Sequence, residues 1–451
     1  MKRCLSIIIA TVVLTSAHLA TGQTTKGTGP EVHKLTIRPM AVGDRAMQYR
    51  LIPPKETFTA GNAATLYMAA MLRIAYLPSD WVDKVERLGA MPSDQLPRDE
   101  VRALLKDAEP MLNLLRIASR RDHCEWEMAR REDGALALLP HLHRMRPFMR
   151  LLSLQTRTAL LDGHYDAATD SMQTSVQMIR YCPGGDGILL DGLVAAKMGE
   201  IFTGDLEAWM SHEGAPNLYW PIANIGRPTL DVQEVIRRER GYFYYAFPVL
   251  RNPRTITDAQ WQKVLLDMLR EMNPQPPTKE ELEKLQKRIA QINAPLLAKG
   301  KAMPGIEGAT DTQVIATYAL ASMERWRDER EKWFGLPFWQ AYPGLRETDR
   351  AIRETQAKEP NALIAMEPNT ALWYVRLTQP DRMSAALQTI EAIRAFGKVP
   401  AKLTDVTLPL PADPTTGQPF VYQPREGGFT LTSKIDSGDP ADELRYEVTL
   451  K

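Results

Sequence analysis

Seven residues spaced alternately four and three apart, Leu138, Leu142, Met145, Met149, Leu152, Thr156 and Ala159, constrain this chain more than any other feature. That spacing holds side chains on one face of an α-helix, whereas a strand would need alternation by two. Pro147 falls inside the stretch and predicts a kink or break there. Gly163 ends it, and a second helical pattern follows from Tyr165 until Pro183, Gly184 and Gly185 stop it. The two halves read as a tight antiparallel helical hairpin.

Similar signals recur along the chain. Residues 62–76 are dense in Ala, Leu and Met behind a capping Asn62. Helical windows follow at 98–106 and 109–131. Thr257 with Gln260, Thr278 with Glu281, and Thr310 with Gln313 have capping-box spacing. Leu282, Leu285, Ile289 and Ile292 form a stripe amid charged residues, as on a surface helix or arm. From about residue 400 helix formers thin out, and 419–423, 428–433 and 444–450 read as strands, the first two as a hairpin. Phe420, Tyr422, Phe429 and Leu431 give it one apolar face. A lone hairpin is marginal, so that face predicts docking on the helices. The expected fold is mainly α: an irregular helical bundle or helical-hairpin array with a small C-terminal β-containing module. The segment 160–176 also resembles the second half of a tetratricopeptide repeat, but one copy without a period favours a hairpin over a solenoid.

The N-terminus predicts export. Lys2 and Arg3 precede an apolar run at 5–14, too short to span a ~30 Å hydrocarbon core. Ala20 and Gly22 stand at −3 and −1 of a cut between Gly22 and Gln23. The expected organisation is a signal peptide at 1–22, an extended leader at 23–58 broken by prolines, a helical body at 59–399 and the β-containing module at 400–451. Export places the protein in the periplasm or outside the cell, with no transmembrane segment once the signal is removed. The formal charge is +1 over the whole chain, which gives no field for nucleic acid. Apolar residues at 44% and charged residues at 25% fit a globular rather than a disordered chain. Beyond Cys4 the cysteines are Cys124 and Cys182, a candidate disulfide in an oxidising compartment, with two separate buried thiols as the alternative. A bridge would close a loop of roughly sixty residues and stabilise by ~4 kcal/mol.

Several motifs, Tyr49-Arg50-Leu51-Ile52-Pro53, Gly61-Asn62-Ala63-Ala64, Cys124-Glu125-Trp126, Phe396-Gly397-Lys398-Val399-Pro400 and the segment from Asp413 to Tyr422, together resemble a group of exported proteins of planctomycete bacteria. That resemblance implies compartment and architecture, not a reaction. The last sixty or so residues also resemble the C-terminal module of type II secretion pseudopilins. In those proteins the module follows a single N-terminal helix, whereas here some 370 residues precede it. The pseudopilin resemblance implies calcium held by late acidic residues, here Asp436, Asp439 and Asp442, against the plainer reading of a solvated acidic turn.

No nucleophile elbow, P-loop, HExxH or paired CxxC occurs. His141 and His143 point about 200° apart on a helix and would not share a metal there. Asp162, Asp166 and Asp170 fall at steps of four, where capping and dipole compensation compete with paired-carboxylate chemistry. Two aromatic runs, 241–247 and 332–342, fit either core or contact surface, and Trp333, Phe338 and Trp339 are the candidate contact residues. No cofactor is indicated. The expected function is a non-catalytic exported binding or scaffold protein with an envelope partner. The alternatives are an exported hydrolase whose site is assembled from distant residues, or a component associated with a secretion or surface assembly.

Overall fold

The computed structural model describes residues 30, 32–134, 137–272, 279–367 and 369–451. The cut between Gly22 and Gln23 and the cap at Thr278 lie outside the described residues. The fold is mainly helical with a small sheet, and no helix among the described residues is long and apolar enough to cross a membrane.

Among the described residues the first four helices are α1 (Ala63–Arg73), α2 (Trp81–Gly89), α3 (Arg98–Asp107) and α4 (Glu109–Ala118). Asn62 opens α1 by accepting from the Ala64 amide at 3.0 Å. The expected window 109–131 is shorter than predicted. Its helix stops at Ala118, and β3 (Arg121–His123) runs parallel to β2 (Thr59–Asn62).

The stripe that predicts a hairpin lies on α5 (Pro140–Leu161), which packs on α6 (Tyr165–Tyr181). Gly163 joins them at φ 73°, a conformation that glycine adopts without a Cβ penalty. Contrary to expectation, α5 runs unbroken through Pro147. Proline removes one backbone bond, but Met145, Phe148, Met149 and Leu152 are buried on both sides of it and hold the two halves in line. Leu138 falls before the helix and is 57% exposed.

Two long helices form the centre, α7 (Leu189–Ser211) and, much later, α13 (Thr370–Phe396). Every residue of α13 from Pro380 to Arg394 is buried, so that stretch has no solvent face. The two helices approach so closely that a Cβ on Gly199 would sit 2.7 Å from Pro380. Between them in sequence come α8 (Val232–Ala246), α9 (Asp258–Met272), α10 (Lys279–Gly300), α11 (Asp311–Glu331) and α12 (Phe338–Lys358). These build a second apolar cluster around Phe243, Trp261, Leu296 and Met323. The capping boxes at Thr257 and Thr310 form as expected. Helix α10 is no free arm, because Ile289 and Leu296 are buried in that cluster.

The C-terminal module forms β4 (Val421–Arg425), β5 (Gly428–Ser433) and β6 (Leu444–Leu450), with β4–β5 the expected hairpin. The leader supplies what spacing did not show: β1 (Val32–Ile37) pairs parallel with β6, giving the order β1-β6-β5-β4. Residues 32–37 of the expected leader are therefore structurally part of the C-terminal sheet. Phe420, Phe429 and Leu431 are buried, as are Tyr446 and Val448. The fully buried Arg382 of α13 fastens the sheet, donating to Ser433 Oγ and the Asp442 carbonyl at 2.6 Å each. Asp413 shapes the neighbouring turn by accepting from the Thr415 amide and hydroxyl at 2.8 and 2.7 Å. The motif from Asp413 to Tyr422 thus serves to dock the sheet.

Candidate binding site

Two polar constellations occur on the α4–α7 side of the molecule, one sealed and one open. The sealed one gathers Cys124-Glu125-Trp126 and His141. Asn62 exchanges two hydrogen bonds with the Glu125 backbone, at 2.7 and 2.9 Å. This places the Trp126 ring between Tyr67 and His141, with centroids 5.8 and 4.5 Å away. Trp126 Nε1 donates to the carbonyls of Tyr181 and Cys182 at 3.0 and 3.1 Å. Behind it, His141 Nε2 lies 2.7 Å from Asp191 Oδ1, and one Arg130 nitrogen reaches both Asp191 oxygens at 2.9 Å. The Ile188 amide adds a fourth bond at 2.9 Å. Burial pushes the Asp191 carboxyl up, but the His141 hydrogen bond and the Arg130 charge outweigh it and hold the group below its ordinary value.

A carboxylate-oriented imidazole beside two cysteines is the raw material of thiol catalysis. The surroundings here disable it. Burial raises the Cys124 thiol to about 12 and lifts Cys182 well above its usual range, so neither supplies thiolate at neutral pH. The candidate Cys124–Cys182 bridge is not formed: both are buried free thiols. Cys182 keeps a proton that it directs to the Asp191 carbonyl at 3.5 Å.

The open constellation is a groove of about 680 Å³ between α3, α4, α5 and α6, within the usual range of ligand pockets. Helix α4 supplies one wall, because Glu109, Leu112, Asn113 and Arg116 follow at steps of three, one and three and share a face. Leu105 and Lys106 from α3 close one end. Leu152 and Gln155 from α5 and Asp170 and Thr174 from α6 form the opposite side. Leu112, Leu152 and Thr174 are buried and make the floor. On the other side of Pro110 a hollow of about 170 Å³ is lined by Arg73, Tyr76 and Met111. Tyr76 at its edge is 89% exposed.

The other candidate residues disperse. Asp162 pairs with Arg102 and Asp170 with Arg120, each at 2.9 Å, while Asp166 is exposed. No carboxylate pair forms, though Asp170 reaches the groove. Asp436 faces Arg346, Asp439 caps the Ala441 amide at 2.9 Å, and Asp442 is buried near Arg376. Among the described residues no three His, Cys, Asp or Glu side chains gather as a metal site.

The aromatic contact trio also divides. Phe338 is core, packed at 4.9 and 4.8 Å on Tyr342 and Tyr374. Trp333 bonds Thr348 at 3.3 Å and lies over Gly344. Only Trp339 is substantially exposed, at 41%, with its ring against Gly417. A Pro-initiated helix starts at Phe338, so residues 334, 338, 341, 342 and 345 turn inward at helical spacing and carry the middle of the run into the core. The groove itself was not anticipated. Its residues come from four helices, and the polar stripe Glu109–Asn113–Arg116 looks in sequence like any solvated face. No protein-family model, curated protein or solved structure matches the chain.

Proposed function

We propose that this chain is an exported, non-catalytic helical protein that binds its ligand in the α3–α6 groove, in the periplasm or cell envelope. The compartment rests on the charged start, short apolar run and small-residue pair of the N-terminus. The binding role rests on one contrast. The residues with catalytic chemistry are closed off from solvent, with Asp191 held by His141, Arg130 and the Ile188 amide, while the residues facing the α3–α6 groove have polar groups to spare. Among the described residues Lys106 and Glu109 have no ion pair, and the Arg116 guanidinium donates to Asn113 alone, at 3.1 Å.

The exported-hydrolase reading has a specific observation in its favour, the His141–Asp191–Arg130 cluster with its nearby thiols. The secretion-assembly reading rests on the C-terminal resemblance, whose motif is occupied in docking the sheet. A thermal-shift screen of small-molecule and peptide classes on the mature protein, run beside a hydrolase and transferase screen, tests the proposal. A ligand that raises the melting temperature of the wild type but not of Arg116→Glu supports binding. Turnover abolished by His141→Ala at unchanged helical content overturns it.

A further inference from the structure

The groove's free hydrogen-bonding groups are unequal in kind. Lys106 is unpaired, and Arg116 uses one nitrogen on Asn113 Oδ1. That bond leaves the Asn113 NH₂ free. Gln155 likewise spends its oxygen, accepting from Ser171 at 2.5 Å, and leaves its NH₂ free. Against these four donor groups stand Glu109 and Asp170, and Asp170 is already bound to Arg120 at 2.9 Å. A donor-rich lining suits a ligand rich in acceptors, such as peptide carbonyls and carboxylates.

Charge is also unequal along the groove. Helix α4 sets the direction, with Glu109 in its first turn and Arg116 in its last. Lys106 and Glu109 balance each other at the first end. At the second, Asp170 pairs with Arg120, which leaves Arg116 without a carboxylate among the described residues. The distance from Glu109 to Arg116 along the helix is about 10 Å, the length of about three residues of extended chain. Leu112 and Leu152 offer an apolar floor between the two ends.

We infer that the groove takes a short extended peptide ending in a carboxylate. The carboxylate lies at Arg116, an apolar side chain rests on Leu112 and Leu152, and the Asn113 and Gln155 amides donate to the peptide's carbonyls. This assignment rests on the binding reading above and gives it a ligand class.

Fluorescence anisotropy on the mature protein provides the test, with N-terminally fluorescein-labelled Gly-Leu-Leu-Glu and its counterpart Gly-Leu-Leu-Lys-amide as probes. The acidic probe should bind at least tenfold more tightly than the amide. Arg116→Glu should reverse that order, and Lys398→Glu, an exposed charge outside the groove, should leave it unchanged. Circular dichroism confirms that each variant keeps its helices. Equal affinity for both probes, no measurable binding of the acidic probe, or a preference that Arg116→Glu does not alter overturns the peptide assignment. If the probes fail but another ligand class still gives a thermal shift that Arg116→Glu removes, the peptide class is wrong and the binding reading stands. Turnover that depends on His141 removes the binding reading itself.

Discussion

The knot around Asp191 and the groove along α4 are built from the same kinds of residue, to opposite effect. Each contains carboxylates, cations and side chains able to hydrogen-bond, and each leans on α5. In the knot, Asp191 accepts from His141, Arg130 and the Ile188 amide, and aromatic rings cover the assembly. In the groove, Lys106, Glu109 and most of the Arg116 guanidinium face outward without partners. Charge buried without water must be answered by charge or hydrogen bonds, so the first arrangement is a structural commitment. Charge left unanswered at the surface costs little and remains available to a ligand. Residue type therefore does not separate the two arrangements; access to solvent does.

The largest expected effect tests the structural side of that contrast. Asp191→Ala takes the anion from the buried His141 and leaves the buried Arg130 with the more exposed Asp186, 3.6 Å away, and breaking a buried pair in this way costs ~3–5 kcal/mol. Urea denaturation of wild type and variant gives the difference directly. A loss below ~1 kcal/mol would falsify the view that the knot is a structural keystone.

A second, slightly smaller effect appears with pH. Asp205 is fully buried, with Ser153 Oγ at 2.6 Å. Burial raises its carboxyl from 3.8 to about 6, against the opposing pull of Arg157, the Ser153 bond and Arg150. An acid whose folded-state pKa is raised holds its proton more tightly in the native state. Its stabilising contribution is therefore complete below about pH 4 and is lost as pH rises through about 6. The size is about 3 kcal/mol. Stability measured by denaturant titration should fall between pH 4 and pH 7, and Asp205→Asn should flatten that fall. A wild-type curve that rises over this window contradicts the assignment.

Between knot and groove stands Asp170, half exposed and bound to the largely buried Arg120. Arg120 also holds the Ser119 hydroxyl and Gln173 at 2.8 and 2.7 Å. Asp170→Asn should thus cost only about 1 kcal/mol, nearer to an exposed ion pair than to a buried one. Chemical denaturation of this variant in low and high salt locates it on the scale. A cost as large as that of Asp191→Ala would erase the gradient from sealed to open.

The same division runs between what the sequence shows and what only the fold shows. Local signals were legible: the α5 stripe, the Asn62 cap, the boxes at Thr257 and Thr310, and the hairpin flanking Glu426 and Gly427. Each depends on neighbours within a few residues. What was missed depends on distant partners. β1 lies in a proline-rich leader and gains its sheet only by pairing with β6, more than 400 residues away. Arg382, Glu391 and Arg394 are charged and would be expected at a surface, yet all three are buried because α13 is enclosed from Pro380 to Arg394. Pro147 misled for the complementary reason, since tertiary burial outweighed a local breaker. The two candidate sites divide in the same way. Nothing in the spacing links His141 to Asp191, fifty residues apart, and nothing links Lys106 to Gln155. Trp333, Phe338 and Trp339 belong to one aromatic run in the sequence, but the helix that begins at Phe338 turns Phe338 inward and leaves Trp339 exposed.

The smallest expected effect is the one that gives the contrast its functional meaning. Lys106→Ala and Glu109→Ala remove exposed charges that make no ion pair in the structure. No hydrogen bond is broken and no apolar surface is uncovered by either change. Glu109 does stand in the first turn of α4, where a negative charge favours the helix dipole by ~0.3–1 kcal/mol. The removal of Lys106 should stay within ~0.5 kcal/mol, the range of ordinary surface substitutions, and the removal of Glu109 within ~1 kcal/mol. Thermal and urea denaturation should find both variants near the wild type, while anisotropy with the acidic peptide registers a weaker complex for Lys106→Ala. If either variant instead unfolds like Asp191→Ala, the groove's charges are part of the fold, and the distinction between the two constellations disappears.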